Sequence, residues 1–170
     1  MTITLRPAEA TDVDAVAAIW YSGWYDGHLG NVPDELVAHR TKEHFLTGVP
    51  DRIPTITVAV ADPPLPDPAG AGSGGEVAGF VIVLGDQVDQ VYVAAGHRGS
   101  GVAGVLIAEA ERQVKANGHD EAWLAVATGN ARARRFYERS GWTDAGAFDY
   151  PVGTESGTIP VPCHRYTKQV

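Results

Sequence analysis

Arg98-Gly99-Ser100-Gly101-Val102-Ala103 constrains the fold of this chain more than any other segment, because of what flanks it. The apolar run Val88–Val93 before it has strand character, and Val102–Ala116 after it repeats apolar residues with helical period. A glycine-rich turn between a strand and a helix aims several backbone N–H groups in one direction. Together with the positive end of the helix dipole, these donors form a site for phosphate oxygens. The chain is therefore expected to hold a phosphorylated ligand at this turn.

At 170 residues the chain suits a single domain, 1–170, with room for a substantial core. Its formal charge of -8 argues against nucleic acid and favours, if anything, a cationic partner. One cysteine, Cys163, excludes an intrachain disulfide and a cysteine-rich metal site, and fits a reducing compartment. The six histidines are scattered and suggest no metal. No apolar run approaches the roughly 20 residues of a membrane span. Met1 to Pro7 lacks the apolar core of a signal peptide, so a cytoplasmic location with no membrane contact is expected.

Ile3 and Leu5 read as a first strand, and Thr11-x-x-Asp14 as a helix-opening box. Val13, Val16, Ala17, Trp20 and Trp24 then follow helical spacing until Gly27, Gly30 and Pro33 interrupt it. Asp34–Leu46 reads as one helix, and Thr55–Ala61 and Val77–Leu84 as strands joined by a flexible Pro/Gly-rich loop at 62–76. Beyond the turn, Asn117-Gly118 closes one helix, Ala122–Ala127 is a strand, and Asn130 opens a helix that stops at Ser140-Gly141. Trp142–Phe148 and Val161–Tyr166 are closing strands. The fold class is α/β (α+β): a mixed, mostly antiparallel sheet with a parallel pair in its middle and about four helices.

Three phosphate-binding chemistries fit a glycine turn. Gly99-x-Gly101-x-x-Gly104 matches a dinucleotide fingerprint, but the next strand ends at Thr128-Gly129-Asn130 with no carboxylate for a ribose. A P-loop needs Gly-Lys-Ser/Thr, which is absent. Instead, Arg98-Gly99-Ser100-Gly101-Val102-Ala103 resembles the Gln/Arg-x-x-Gly-x-Gly/Ala signature of the GNAT family of acetyl-CoA-dependent N-acetyltransferases. Asn130, Ala133, Phe136-Tyr137 and Gly141-Trp142 resemble its second signature, and Val91-Tyr92-Val93 its strand end.

The resemblance implies a GNAT fold with a splayed parallel pair, acetyl-CoA as co-substrate, and acetyl transfer to a primary amine by direct attack in a ternary complex. It places the pyrophosphate against the backbone of Arg98, Gly99, Ser100, Gly101, Val102 and Ala103. The pantetheine arm would lie along Val91 and Val93, with Asn130 and Ala133 at the next helix. It assigns Tyr137 as general acid, since a phenol of pKa about 10 stays protonated at neutral pH. Where many members carry a Glu base, this chain has Gln87, which leaves Asp89, or Asp86, to act through water. Trp24, Tyr25, Asp26 and His28 join the first two helices and would border an acceptor that is cationic or aromatic. His28 and His164 are further candidate bases. A small-molecule amine is the first choice of acceptor. A protein N-terminus, a non-catalytic acyl-CoA-binding module and a nicotinamide-dependent oxidoreductase stay open. Members of the family often dimerise, so a homodimer is a further expectation.

Overall fold

The structure, a computed structural model, describes residues 1–62 and 75–170. Seven strands form one sheet in the order β1-β2-β3-β4-β5-β7-β6. Their ranges are β1 Thr2–Pro7, β2 Ile56–Asp62, β3 Glu76–Leu84, β4 Gln87–Val93, β5 Glu121–Ala127, β6 Thr143–Thr154 and β7 Gly157–Gln169. Five α-helices connect them: α1 Val13–His28, α2 Asp34–His39, α3 Lys42–Arg52, α4 Val102–Ala116 and α5 Ala131–Arg139. The predicted loop at 62–76 falls, at 63–74, outside the described residues, while β2 and β3 on either side pair antiparallel as expected.

β3 reads as an unbroken apolar run because both of its faces are covered. Phe80 and Ile82 join Trp20, Phe45, Val49 and Val58 under α1 and α3. Val81 and Val83 join Leu106, Ile107, Ala110 and Val114 of α4 on the other face, where Trp142 and Tyr166 also pack. The result is a three-layer arrangement with two apolar cores, and it fixes α1 and α4 on opposite sides of the central strands.

Among the described residues only β4 and β5 run parallel, and they touch at a single register position, Gln87↔Trp123, continued by Trp123 N–H to the Asp86 carbonyl at 3.0 Å. Beyond that the two strands part. β4 still pairs with β3 through Val93, so its edge toward β5 carries backbone polar groups with no ladder partner. β4 also holds one extra residue. Ile82 faces Gln90 and Val83 faces Val88, so Asp89 is a bulge that resets the strand's alternation. Gln87 and Asp89 therefore do not stand in the simple period-two relation that the sequence suggests.

Four element boundaries differ from expectation. The segment Asp34–Leu46 is two helices rather than one. The chain breaks at Arg40 (φ -103°, ψ 60°), and the Thr41 hydroxyl caps α3 by accepting from His44 N–H at 3.1 Å. The opening box of the first helical segment is not Thr11-x-x-Asp14 but Glu9 and Asp12. The Asp12 carboxylate accepts from Glu9 N–H at 2.8 Å and from the Arg6 guanidinium at 2.7 and 2.9 Å. Gly27 lies inside α1, against Asn130, instead of ending the helix. Finally, β6 and β7 extend into a hairpin that reaches Thr154 and Gly157.

Candidate active site

The parting of β4 from β5 opens a cavity of 990 Å³ between the edge of β4, the start of α4, α5, the end of α1 and the β6–β7 hairpin. Val91, Val93, Asn130, Ala133 and Tyr137 stand on its wall, as do Arg98, Gly99, Gly101 and Ala103 of the turn. Asp89, Trp24 and His28 line it as well. Ser100, Val102, Tyr25 and Asp26 do not. Val102 is instead fully buried among Leu106 and its neighbours under the sheet.

The turn itself is built to leave donors free. Ser100 donates both its N–H (3.3 Å) and its hydroxyl (2.5 Å) to the His97 carbonyl, and Arg98 N–H donates to Ala95. Those bonds close the loop, so Ser100 is spent on the turn. Gly99 (φ +77°) and Gly101 (φ +92°) occupy the left-handed region, and a Cβ at either would meet no atom within 4 Å. Gly101 caps α4, accepting from Val105 N–H at 3.2 Å. The N–H groups of Gly99, Gly101, Val102, Ala103 and Gly104 have no backbone acceptor among the described residues. An open concave surface with five unpaired donors at a helix N-terminus fits the pyrophosphate of a coenzyme.

Arg98 is not a free turn cation. Its Nη2 donates to Asp26 Oδ2 at 2.6 Å, which ties the turn to α1. Asp26 therefore stands beside the glycine turn and does not line the cavity. The end of α1 and the start of α5 meet closely: a Cβ on Gly27 would lie 2.8 Å from Asn130 Nδ2. Asn130 Oδ1 accepts from Ala133 N–H at 3.2 Å and caps α5. Two turns on, the Tyr137 ring packs near Phe136 (5.2 Å), Trp142 (6.1 Å) and Tyr166 (6.2 Å). Burial pushes the Tyr137 phenol above its ordinary value, so it holds its proton throughout the physiological range. Cys163, also on the wall, has its thiol pushed up to about 11 by burial and stays a thiol.

At the other end of the cavity, Trp24 is buried and its face is covered by the His28 ring, stacked at 4.7 Å and 5°. Tyr25 packs on Tyr21 at 4.7 Å. The aromatic cage for a cation that the sequence suggests is thus closed by the protein's own rings. His28 Nδ1 lies 2.8 Å from the Trp24 carbonyl, an acceptor, so that nitrogen carries the hydrogen and Nε2 keeps its lone pair. Burial holds the His28 pKa below the ordinary value, and the ring is neutral at pH 7. Asp89 accepts from Arg52 Nη1 at 3.3 Å, and Gln87 donates to the Tyr150 hydroxyl at 3.0 Å. His164 pairs with Asp144 at 2.9 Å and does not line the cavity.

Arg98 apart, sequence reasoning missed the arginines. Arg40, Arg52, Arg98, Arg132 and Arg139 line the cavity, against a single carboxylate, Asp89. Arg40 is the buried one, at 8% exposure. In the single helix expected over Asp34–Leu46, Arg40 drew no attention. The signal that could have found it was Thr41, a strong N-cap residue that would have ended the helix at Arg40. Among the described residues no cluster of three or more metal-ligating side chains occurs, and no helix is long and apolar enough to cross a membrane.

A sequence profile of the Acetyltransferase (GNAT) family matches residues 34–142, from α2 through α5. Streptothricin acetyltransferase of Streptomyces lavendulae is 33% identical over 81 residues, which are 44% of this chain and 43% of that protein, so the match spans under half of that relative's length. A GCN5-related N-acetyltransferase from Rhodopseudomonas palustris superposes with a TM-score of 0.69 at 20% identity, over 100% of this chain and 97% of that one. The PaiA N-acetyltransferase of Thermoplasma acidophilum, solved in complex with coenzyme A, gives 0.64 at 17% identity over 100% of both chains. These likenesses carry the fold, and the profile spans more than half of the sequence. The chain belongs to the GNAT family of acetyltransferases.

Proposed function

We propose that this acetyltransferase moves an acetyl group from acetyl-CoA to the primary amine of a small molecule. The observation that carries the reading is the set of unpartnered N–H groups between Gly99 and Gly104, four of them on residues that line the gap between β4 and β5: Gly99, Gly101, Ala103 and Gly104. The streptothricin relative and the coenzyme A complex of the structural neighbour support the acceptor class and the co-substrate. When bound, acetyl-CoA supplies a thioester that an amine can attack.

In this reading the turn and Asn130 orient the coenzyme, and Ala133 leaves room beside it. The unpaired backbone edge at Val91 and Val93 holds the pantetheine arm, and an N–H there stabilises negative charge on the acyl oxygen. Tyr137, protonated because it is buried, gives its phenolic hydrogen to the departing sulfur. For the proton of the acceptor's ammonium, two lining groups offer a lone pair. Asp89 is engaged by Arg52. His28 is neutral, with Nε2 uncommitted among the described residues, and we assign it the base role ahead of Asp89.

Thermal denaturation with acetyl-CoA, NAD and ATP, followed by a CoA-release screen of primary amines, tests the reading. Ligand at 100 times its Kd adds about 2.7 kcal/mol. For a chain of this size that is a rise of roughly 5–10 °C. Stabilisation by acetyl-CoA alone with amine-dependent CoA release is the expected outcome. Stabilisation without release from any amine would make the protein an acyl-CoA-binding module, and stabilisation by NAD instead would revive the dinucleotide reading.

A further inference from the structure

We infer that the acceptor carries a carboxylate as well as its amine, and that the free edge of the Arg40 guanidinium binds it. The inference rests on the acetyl-transfer reading and names the acceptor's class. Arg40 ends α2, and the break in the backbone there turns its side chain inward. Nη2 donates to the Gly153 carbonyl at 3.0 Å, which pins the group against the β6–β7 hairpin. Nη1 is buried and has no hydrogen-bond partner. An arginine stays charged even where burial lowers its pKa, so this is a desolvated cation with an unpartnered donor.

Among the described residues no carboxylate pairs with it. Arg52 acts on Arg40 as a like charge, and Arg40 in turn acts on His28 and His44; the acidic group that reaches this cluster, Glu155, acts on His44. Asp89, the cavity's carboxylate, is bound to Arg52 at 3.3 Å. A buried donor with no partner is costly, and a buried charge with no partner more so. A ligand that brings an anion to Nη1 removes both costs.

The coenzyme's phosphates are not that anion. Their cradle opens from the start of α4, which packs on one face of the sheet through Val102 and Leu106. Arg40 follows Leu36 and is held at Gly153, with the α1–α3 layer on the other face. A single free donor edge also suits a planar monoanion better than a dianionic phosphate, which takes several donors. The two ends of the cavity thus ask for different partners, the coenzyme at the turn and a carboxylate at Arg40. An α-amino acid, or a small molecule with an amino and a carboxylate group, meets the second demand.

The test compares binding of the twenty L-amino acids with that of their carboxamides, by thermal denaturation and calorimetry, with and without saturating acetyl-CoA. A charge-assisted hydrogen bond corresponds to about a tenfold to hundredfold preference for the acid. At least one acid should show it over its amide. Arg40→Gln should abolish the preference, and Arg40→Lys should restore part of it, with the acetyl-CoA shift reporting that each variant is folded. If no acid outbinds its amide, or if the preference survives in R40Q, the inference is overturned. Where R40Q does not fold, the absence of any acid preference in the wild type still overturns the inference, and its reduction in R40K supports Arg40 over the other arginines of the cavity. A protein that discriminates acids from amides but is not stabilised by acetyl-CoA would sink the acetyl-transfer reading and leave the Arg40 subsite standing.

Discussion

Adding one methyl group at Gly101 or at Gly104 should move stability in opposite directions, although the two positions are three residues apart. Neither Cβ would meet an atom within 4 Å, so crowding contributes nothing at either site. Gly101 sits at φ +92°, where an L-residue costs about 1–2 kcal/mol. Gly104 lies inside α4 with ordinary helical geometry, where alanine is better than glycine by roughly 0.5–1 kcal/mol. For a chain of this length each kcal/mol is worth about 2–4 °C. Gly101→Ala should therefore melt roughly 2–8 °C lower, and Gly104→Ala about 1–4 °C higher. The same Gly101 methyl enters the open space over the unpaired N–H groups, so acetyl-CoA affinity should fall at least about tenfold, or about 1.4 kcal/mol of ligand-induced stability. Thermal melts of both variants with and without acetyl-CoA read all three quantities. A G101A protein as stable as wild type would refute the strain argument. Unchanged stabilisation by acetyl-CoA would remove the turn from the coenzyme site.

Tyr137→Phe deletes the proposed acid while keeping the ring among Phe136, Trp142 and Tyr166, so kcat should fall by roughly 10²–10⁴. A full rate under conditions where chemistry limits turnover would strike Tyr137 from that role. Asp12→Asn keeps an acceptor for Glu9 N–H but removes the charge facing Arg6. Arg6 holds the Asp12 carboxyl below its ordinary value, so the unfolded chain takes up that proton first. Stability from the pair is therefore complete above the unfolded pKa of about 4 and is lost as pH falls through the lowered folded value. Urea denaturation should find D12N weaker at pH 7 and its acid loss shallower; identical slopes would show that the pair contributes nothing.

What the sequence made legible was whatever is local. The α4 boundaries, Val102 to Ala116, follow from the glycine turn before the helix and Asn117-Gly118 after it, and the structure has the same limits. The apolar run Val77–Leu84 marked a strand, which the structure has as β3. The parallel pair could be expected because β4 and β5 are separated by a helix. What escaped depends on partners distant in the chain. The bulge at Asp89 exists only in register with β3, and the Arg98–Asp26 pair joins residues 72 apart. β6 alternates in its second half, with Phe148, Tyr150 and Val152 half-buried between exposed Asp149, Pro151 and Gly153, but its first half is exposed and its Gly and Pro residues read as turn signals. It is ordered by its pairing with β7 out to Thr154↔Gly157. That hairpin is what brings Gly153 to Arg40, 113 residues earlier in the chain.

The charge of the site shows why the whole-chain balance pointed toward a cation. A net charge of -8 describes the surface as a whole, and it governs solubility and long-range steering. Inside a cleft the low-dielectric walls make nearby charges dominate. Five arginines from α2, α3, the turn and α5 converge there through the strand order, and no spacing in the sequence announces it. Their weights are unequal. Arg98 and Arg52 are paired with Asp26 and Asp89 and partly exposed, and Arg132 and Arg139 are exposed, so solvent and counter-charge screen them. Arg40 combines burial with a donor that nothing satisfies, so it dominates the selectivity of the acceptor end. An acceptor with two amines and no anion would add charge to a site already short of carboxylates. One with an amine and a carboxylate leaves Arg40 neutralised and the amine free to lose its proton.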